Sequence, residues 1–470
     1  MKSTERWGLS TRAFGRLPGK RVIQVQMAVI AFLAFASAAP ASAQQLHPSL
    51  AVLPDHGEAE LVIGDAAADR IDALFIEFDP HYEVKFAARK RRFDQLASQL
   101  FTRTATGHDT RCSNQIFLEV KWLLNYTAWW SRIDARLDEL EASFAIAHQG
   151  HAAEPSEQDG FYGRCATEKF IKIEATLINY FDLAARGELP AVERESVEVA
   201  RDPAKMTSFL AAHVISDVAK TGHDFRSKLG GLASIMAAAD KRDEVVEMVR
   251  TTVRGPDLTK EKAREIREQF NQLVDWWQDP ETGYWGVWYR DGDKIFKTTD
   301  LSITYHLVHA RRGEVSHWPE LIETTFAIRD QAYPFGWLSD GHWTNHNNYD
   351  LARLFDYGWP HMTNAQRQEA AQTLQEMIDW SFEHTVMLGY RGFRADPKLA
   401  SSLQAEFYFG ASFLVASGFF DEVPWYGPIE RPAAPREVCL GMTSYGKTLD
   451  GPLVNGAMSK LADACEPHLP

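Results

Sequence analysis

The sequence predicts an all-α chain, folded as an (α/α) toroid or barrel of about six or seven helical hairpins. Three observations lead there. Almost every segment places its apolar residues at the helical period, and alternating strand patterns are scarce. Roughly a dozen predicted helices follow one another through mostly short loops, with no linker that separates domains. No residue-level repeat of fixed period is present, which disfavours a regular solenoid.

Taken in order, the chain opens with a segment that reads as a signal peptide, residues 1–43. Basic residues (Arg12, Arg16, Lys20, Arg21) precede the apolar run Met27–Ala39, and Ala41-Ser42-Ala43 fits a small-residue cleavage site. No Arg-Arg pair precedes the run, so a general secretory signal is expected, and a periplasmic or secreted location with it. Nothing later reaches about 20 apolar residues, so no membrane insertion is expected.

The apolar period then predicts helices over Ala66–Phe78, His81–Leu100 and Ser113–Ala147, a polar loop over His148–Gly163, and a helix over Ala166–Arg186. Pro203 starts a hairpin, Ala204–Thr221 and Phe225–Ala239, followed by Arg242–Val253 and the amphipathic Thr259–Trp277. Gln278–Arg290 reads as an aromatic-rich turn. Asp300–Arg312 and Trp318–Ala332 form a further hairpin, and Asn364–Thr385 and Leu399–Gly418 are helical. The toroid is thus expected over residues 44–430, with a disulfide-pinned tail, residues 431–470, packed on it. That tail is rich in Pro and Gly and lacks periodicity.

All four cysteines (Cys112, Cys165, Cys439, Cys465) follow the expected cleavage point, and an even count in an exported protein suggests two disulfides. Nearest-neighbour pairing, Cys112–Cys165 and Cys439–Cys465, is preferred among the three connectivities. None shows metal-ligand spacing. The net charge is −14, and −19 once residues 1–43 are set aside, which excludes nucleic acid as the expected partner.

The chemistry concentrates between Asp340 and Tyr357, DGHWTNHNNYDLARLFDY. His342 and His346 are four apart, as are Asn345 and Tyr349, with Arg353 continuing the second row. Asn is a poor interior helix former and a good cap, so a helix is expected to start within the Asn run. Amide, imidazole, phenol and guanidinium then converge near one helix N-terminus, a place that suits an anion. The plain alternative is an ordinary capped helix.

Wide aromatics flanked by Gly and polar residues are candidate sugar platforms: Tyr284, Trp285, Trp288, Tyr289, Trp337, Trp343 and Trp359. The Gly-rich loop Gly389–Lys398 supplies Tyr390, Arg391, Arg394 and Lys398. His306 and His309 have metal-compatible spacing but no acidic companion, so no metal is assigned. There is no G-x-S-x-G elbow and no phosphate-binding glycine motif. Asp340, Asp350, Asp356 and Glu406 are the carboxylates available to a glycosidase, and neither spacing nor flanking residues single out a pair.

On these residues the chain resembles the helical-toroid polysaccharide lyases, in particular the alginate and glucuronan lyase families. Those families carry an Asn/His/Tyr cluster at a helix start and, later, a loop with Arg and Tyr. The matching residues are Asn345, His346, Asn348 and Tyr349, then Tyr390, Arg391 and Arg394. The order here is NHNNY where the alginate lyases read closer to NNHxY, so the family roles do not map one to one. DPETGYWG (Asp279–Gly286) also resembles toroids of the terpenoid-cyclase type, without an Asp-rich cyclase motif beside it.

The resemblance implies β-elimination on an anionic polysaccharide containing uronic acid, with no metal and no cofactor. His346 and Asn345 would neutralise the carboxylate, Tyr349 would act as base or acid, and Arg391 or Arg394 would clamp the carboxylate. Asn348, Tyr390, His342, Arg353, Trp285, Trp288 and Trp343 complete the expected substrate contacts. The rivals are a glycosidase using Asp350 or Asp356 with Glu406, and a non-catalytic exopolysaccharide-binding protein.

Overall fold

A computed structural model describes residues 54–106, 128–144, 202–240, 260–331, 333–337, 345–387, 392–393, 403–449 and 452–469, with isolated positions at 108–124 and 199. Every described residue lies in the compact unit 46–470.

The described helices are α1 (Asp65–Phe78), α2 (Tyr82–Ala105), α3 (Trp130–Ser143), α4 (Pro203–His213), the single turn α5 (Val218–Thr221), α6 (Arg226–Asp240) and α7 (Lys260–Trp277). They continue with α8 (Leu301–Ala310), α9 (Trp318–Ala327), α10 (Asn345–Gly358), α11 (Asn364–His384), α12 (Leu403–Ala416), α13 (Pro435–Gly446) and α14 (Pro452–Cys465). Local chemistry sets several boundaries. Asp202 caps α4 by accepting from the Ala204 amide at 3.0 Å, with Pro203 at the first helical position. Thr363 and Gln366 form a capping box at the start of α11.

The expected all-α toroid is corrected by a mixed sheet of four short strands: β1 (Glu60–Val62), β2 (Ile215–Ser216), β3 (Trp288–Asp291) and β4 (Lys294–Thr298). Their order is β1-β4-β3-β2. β3 and β4 pair antiparallel, Trp288 opposite Lys297, while β1 runs parallel to β4 and β2 parallel to β3. Strands of two to five residues carry too few positions for an alternating pattern to register. Both parallel pairings join segments far apart in sequence. A local signal was present nonetheless: Gly292, at φ 59°, takes the first central position of a two-residue hairpin loop, where positive φ favours glycine. The sheet also splits the predicted helix Ala204–Thr221 into α4, β2 and α5.

The aromatic-rich segment enters this core instead of facing solvent. Tyr284, Trp285, Trp288 and Tyr289 are all buried. Gly286 explains the closeness: a Cβ there would lie 1.8 Å from the Thr298 carbonyl oxygen, so only glycine lets the two backbones meet. Trp285 donates its indole N–H to the Val274 carbonyl at 2.9 Å, and Trp277 donates to Gly286 at 3.0 Å.

The sheet ends where a buried ion pair begins. Asp300, just beyond β4, caps α8 by accepting from the Ile303 amide at 2.9 Å. The same carboxylate takes two bonds from Arg226 at the start of α6, at 2.6 and 3.2 Å, and both side chains are essentially buried. This fork locks α6 against α8. From there the described helices pack in sequence, α6 on α8, α8 on α10, α10 on α12 and α12 on α14, and among the described residues no toroid is indicated. The expected tail is therefore part of the fold: residues 435–465 make two helices joined by the disulfide Cys439–Cys465, and α14 packs against α12. A separate apolar cluster joins α2, α3 and Ile116, Phe117, Val120, Leu123 and Leu124. Cys112 and Cys165 lie outside the described residues. Among the described residues no helix is long and apolar enough to cross a membrane.

Candidate functional site

Helix α10 carries NHNNY in its first turn, and the described helix begins at Asn345. Its neighbours α8, α11 and α12 divide these residues into two groups. Asn347 and Asn348 turn inward and are almost completely buried. The Asn347 amide donates to the Trp337 carbonyl at 3.0 Å, and the Asn348 amide donates to Ser381 Oγ at 3.2 Å. Asn348, expected to bind substrate, instead ties α10 to α11. A buried amide must find such partners, which explains the choice of Asn.

His346 is the half-exposed member of the run, its side chain 24% accessible. Its Nε2 lies 3.3 Å from Oδ2 of Asp350, one turn on, and the Asp350 side chain is 1% exposed. The imidazole stacks on Phe409 of α12, centroids 4.6 Å apart, and tilts against Tyr333 at 4.7 Å. The buried carboxylate one turn on, together with the two flanking rings, holds the orientation of an accessible imidazole.

Tyr349 faces the same side of α10 and is 7% exposed. Its ring meets Tyr305 of α8 edge-on at 5.5 Å and tilts over Phe409 at 6.5 Å. Tyr305 hydrogen-bonds Tyr349; burial first, then the neighbouring Tyr349 and Asp350, pushes the Tyr305 phenol well above the ordinary range. Tyr305 therefore stays protonated. Lys460 of α14 approaches from the other side, its Nζ 3.4 Å from Tyr349 Oη, 3.5 Å from Tyr408 Oη and 3.1 Å from Ser412 Oγ. It also lies 4.8 and 4.7 Å from the two phenol ring centroids. Sequence reading missed Lys460, which sits 111 residues from Tyr349 in the segment taken for an aperiodic tail.

Arg353, expected to bind substrate, pairs with Asp356 at 2.9 Å and lies over the Tyr357 ring at 5.4 Å. It serves the outer end of α10. His309 Nδ1 is 2.8 Å from Tyr357 Oη, so this histidine is committed to a phenol. Among the described residues no group of three or more His, Cys, Asp or Glu could hold a metal ion. Trp285 and Trp288 belong to the core and offer no face to a ligand. Trp337 is likewise buried.

The expected His342, Trp343, Tyr390, Arg391 and Arg394 lie outside the described residues, as does the side chain of Asn345. Of the loop Gly389–Lys398, the described part is a strand, β6 (Gly392–Phe393), paired antiparallel with β5 (Val386–Met387). β6 packs against α12 and α13.

What converges is therefore His346 with Asp350, Tyr349 with Tyr305, and Lys460 with Tyr408 and Ser412, gathered about Phe409. The set holds an oriented imidazole, a phenol and a cation. It can take a proton, give a proton and attract an anion. Compared with family models, with curated proteins and with solved structures, the chain matches none.

Proposed function

We propose that the protein is a polysaccharide lyase that cleaves a uronic-acid-containing polymer by β-elimination. The observation that carries this reading is the His346–Asp350 pair beside Tyr349 on one turn of α10. In a uronic acid the C5 proton lies next to a carboxylate, and removing it builds negative charge on that group. His346 takes the C5 proton, and Asp350 holds the resulting imidazolium. The electron pair forms the C4–C5 double bond as the C4–O4 bond breaks. Tyr349 gives its proton to the departing O4 and recovers one through the Tyr305 hydroxyl. Positioned acid and base groups of this kind contribute about 10²–10⁴-fold each.

The hydrolase reading needs two carboxyls facing one glycosidic bond. Asp350 and Asp356 already face His346 and Arg353 and give it no support. The test incubates the protein, with chelator, on glucuronan, alginate and a neutral β-glucan, following the ultraviolet absorbance of the new double bond. Absorbance rising on an acidic polymer alone supports the lyase. Reducing ends without absorbance would mean hydrolysis, and neither signal would mean a binding protein.

A further inference from the structure

We infer that Lys460, with Tyr349, Tyr408 and Ser412, forms a binding site for a single carboxylate, the acid group of the sugar. Residue Lys460 was no part of the expected site, and its surroundings are unusual for a lysine. The ammonium is partly buried and points at three hydroxyl oxygens, at 3.1, 3.4 and 3.5 Å. Two aromatic faces flank it at 4.7 and 4.8 Å. Among the described residues no carboxylate lies within ion-pair distance of it. All of its immediate partners are neutral, in a chain whose acidic residues outnumber its basic ones 64 to 50.

A cation withdrawn from water without a counter-ion is costly, and an arriving anion offsets that cost. The donor set suits a carboxylate. The ammonium brings one positive charge and its own N–H donors to a planar anion, and the Ser412 hydroxyl, which accepts from it, can add its proton as a further donor. One cation balances one carboxylate, whereas a phosphate dianion would need a second.

Phe409 sets the ligand class further. Half-buried, it has His346 at 4.6 Å, Tyr408 at 5.1 Å and Tyr349 at 6.5 Å between centroids. It therefore spans the space between the imidazole and the Lys460 hydroxyls and offers an apolar face on which a sugar ring can lie. The cation comes from α14, which the Cys439–Cys465 disulfide ties to α13. The C-terminal helices thus supply a working part of the site.

This inference rests on the lyase reading for the identity of the acid, and binding can be measured apart from catalysis. Calorimetry with the full chain compares free glucuronate, glucose and inorganic phosphate. Glucuronate is expected to bind, glucose not to compete, and Lys460→Met to weaken glucuronate by about 10-fold or more, the usual weight of a bond to a charged group. Ser412→Ala, a milder change on a different helix, should weaken it a few-fold, and serves alone if Lys460→Met does not fold. Unchanged affinity in the variants, equal competition by glucose, or phosphate binding more tightly than glucuronate would overturn the site. Glucuronate held through Lys460 without any elimination would sink the lyase reading and leave the site standing. Elimination whose KM ignores Lys460→Met would do the reverse.

Discussion

The substitution Asp224→Asn reports on the buried charge that underlies the helix row. Asp224 is 7% exposed; its Oδ1 accepts from the Arg226 amide at 2.8 Å and from Tyr289 Oη at 3.0 Å, while Oδ2 is buried without a hydrogen-bond partner. Burial pushes the carboxyl up to about 6, against the pull of those bonds and of the Arg226 charge. The unfolded value is about 3.9, so the difference is about 2 units, or about 3 kcal/mol at about 1.4 kcal/mol per unit. The folded pKa is the higher one, so the protonated form favours the fold. The contribution is fully present below about pH 4 and is lost as pH rises through about 6. An Asn cannot ionise and escapes this loss. Urea unfolding of the wild type and Asp224→Asn between pH 4 and 8 should show the variant gaining up to about 3 kcal/mol relative to the wild type across that window. A difference between the two proteins that does not change with pH would refute the reasoning.

Three further outcomes follow from other parts of the fold. Replacing both Cys439 and Cys465 by Ser opens a loop with a sequence separation of 26, which chain entropy puts at about 3.5 kcal/mol, read as a lower urea midpoint. Gly286→Ala drives a methyl group into the Thr298 carbonyl and should cost about 3 kcal/mol or prevent folding, seen as loss of the cooperative thermal transition. Ser381→Ala leaves the buried Asn348 amide without this partner and should cost about 1–3 kcal/mol while the proposed elimination is retained. Lost activity with unchanged stability in Ser381→Ala would return Asn348 to the substrate.

How much of this was legible in the sequence depends on distance along the chain. Helices such as α1, α7 and α11 emerge within a residue or so of the apolar period that predicts them, and α1 and α11 bury the residues of that stripe. The NHNNY run and the helix it opens are local signals of the same kind. The sheet is different: Glu60 pairs with Phe296 and Ile215 with Trp288, contacts that no short window contains. Its strands are also too short to announce themselves. The misplaced platforms have a related cause. Trp285 beside Gly286 resembles an exposed stacking surface, yet the missing Cβ is what draws Thr298 over it and closes the core.

Within the candidate site, nothing in the composition of the NHNNY run marks Asn347 and Asn348 as the amides that hold helices together; their burial does. Asp350 offers a possible glycosidase carboxylate in the sequence, although its spacing of four from His346 already places the two on one helix face. Lys460 gave no signal at all, since a lone lysine in a largely apolar helix carries no pattern until the phenols across the interface are known.

The step that matters most is the removal of a carbon-bound proton by His346. A uronic-acid polymer deuterated at C5, followed by the appearance of the C4–C5 double bond, measures that step. The proposed chemistry predicts a slower rise on the deuterated polymer with the wild type, and no rise on either polymer with His346→Ala at unchanged helical circular dichroism. Equal rates on both polymers, together with full activity of His346→Ala, would contradict it.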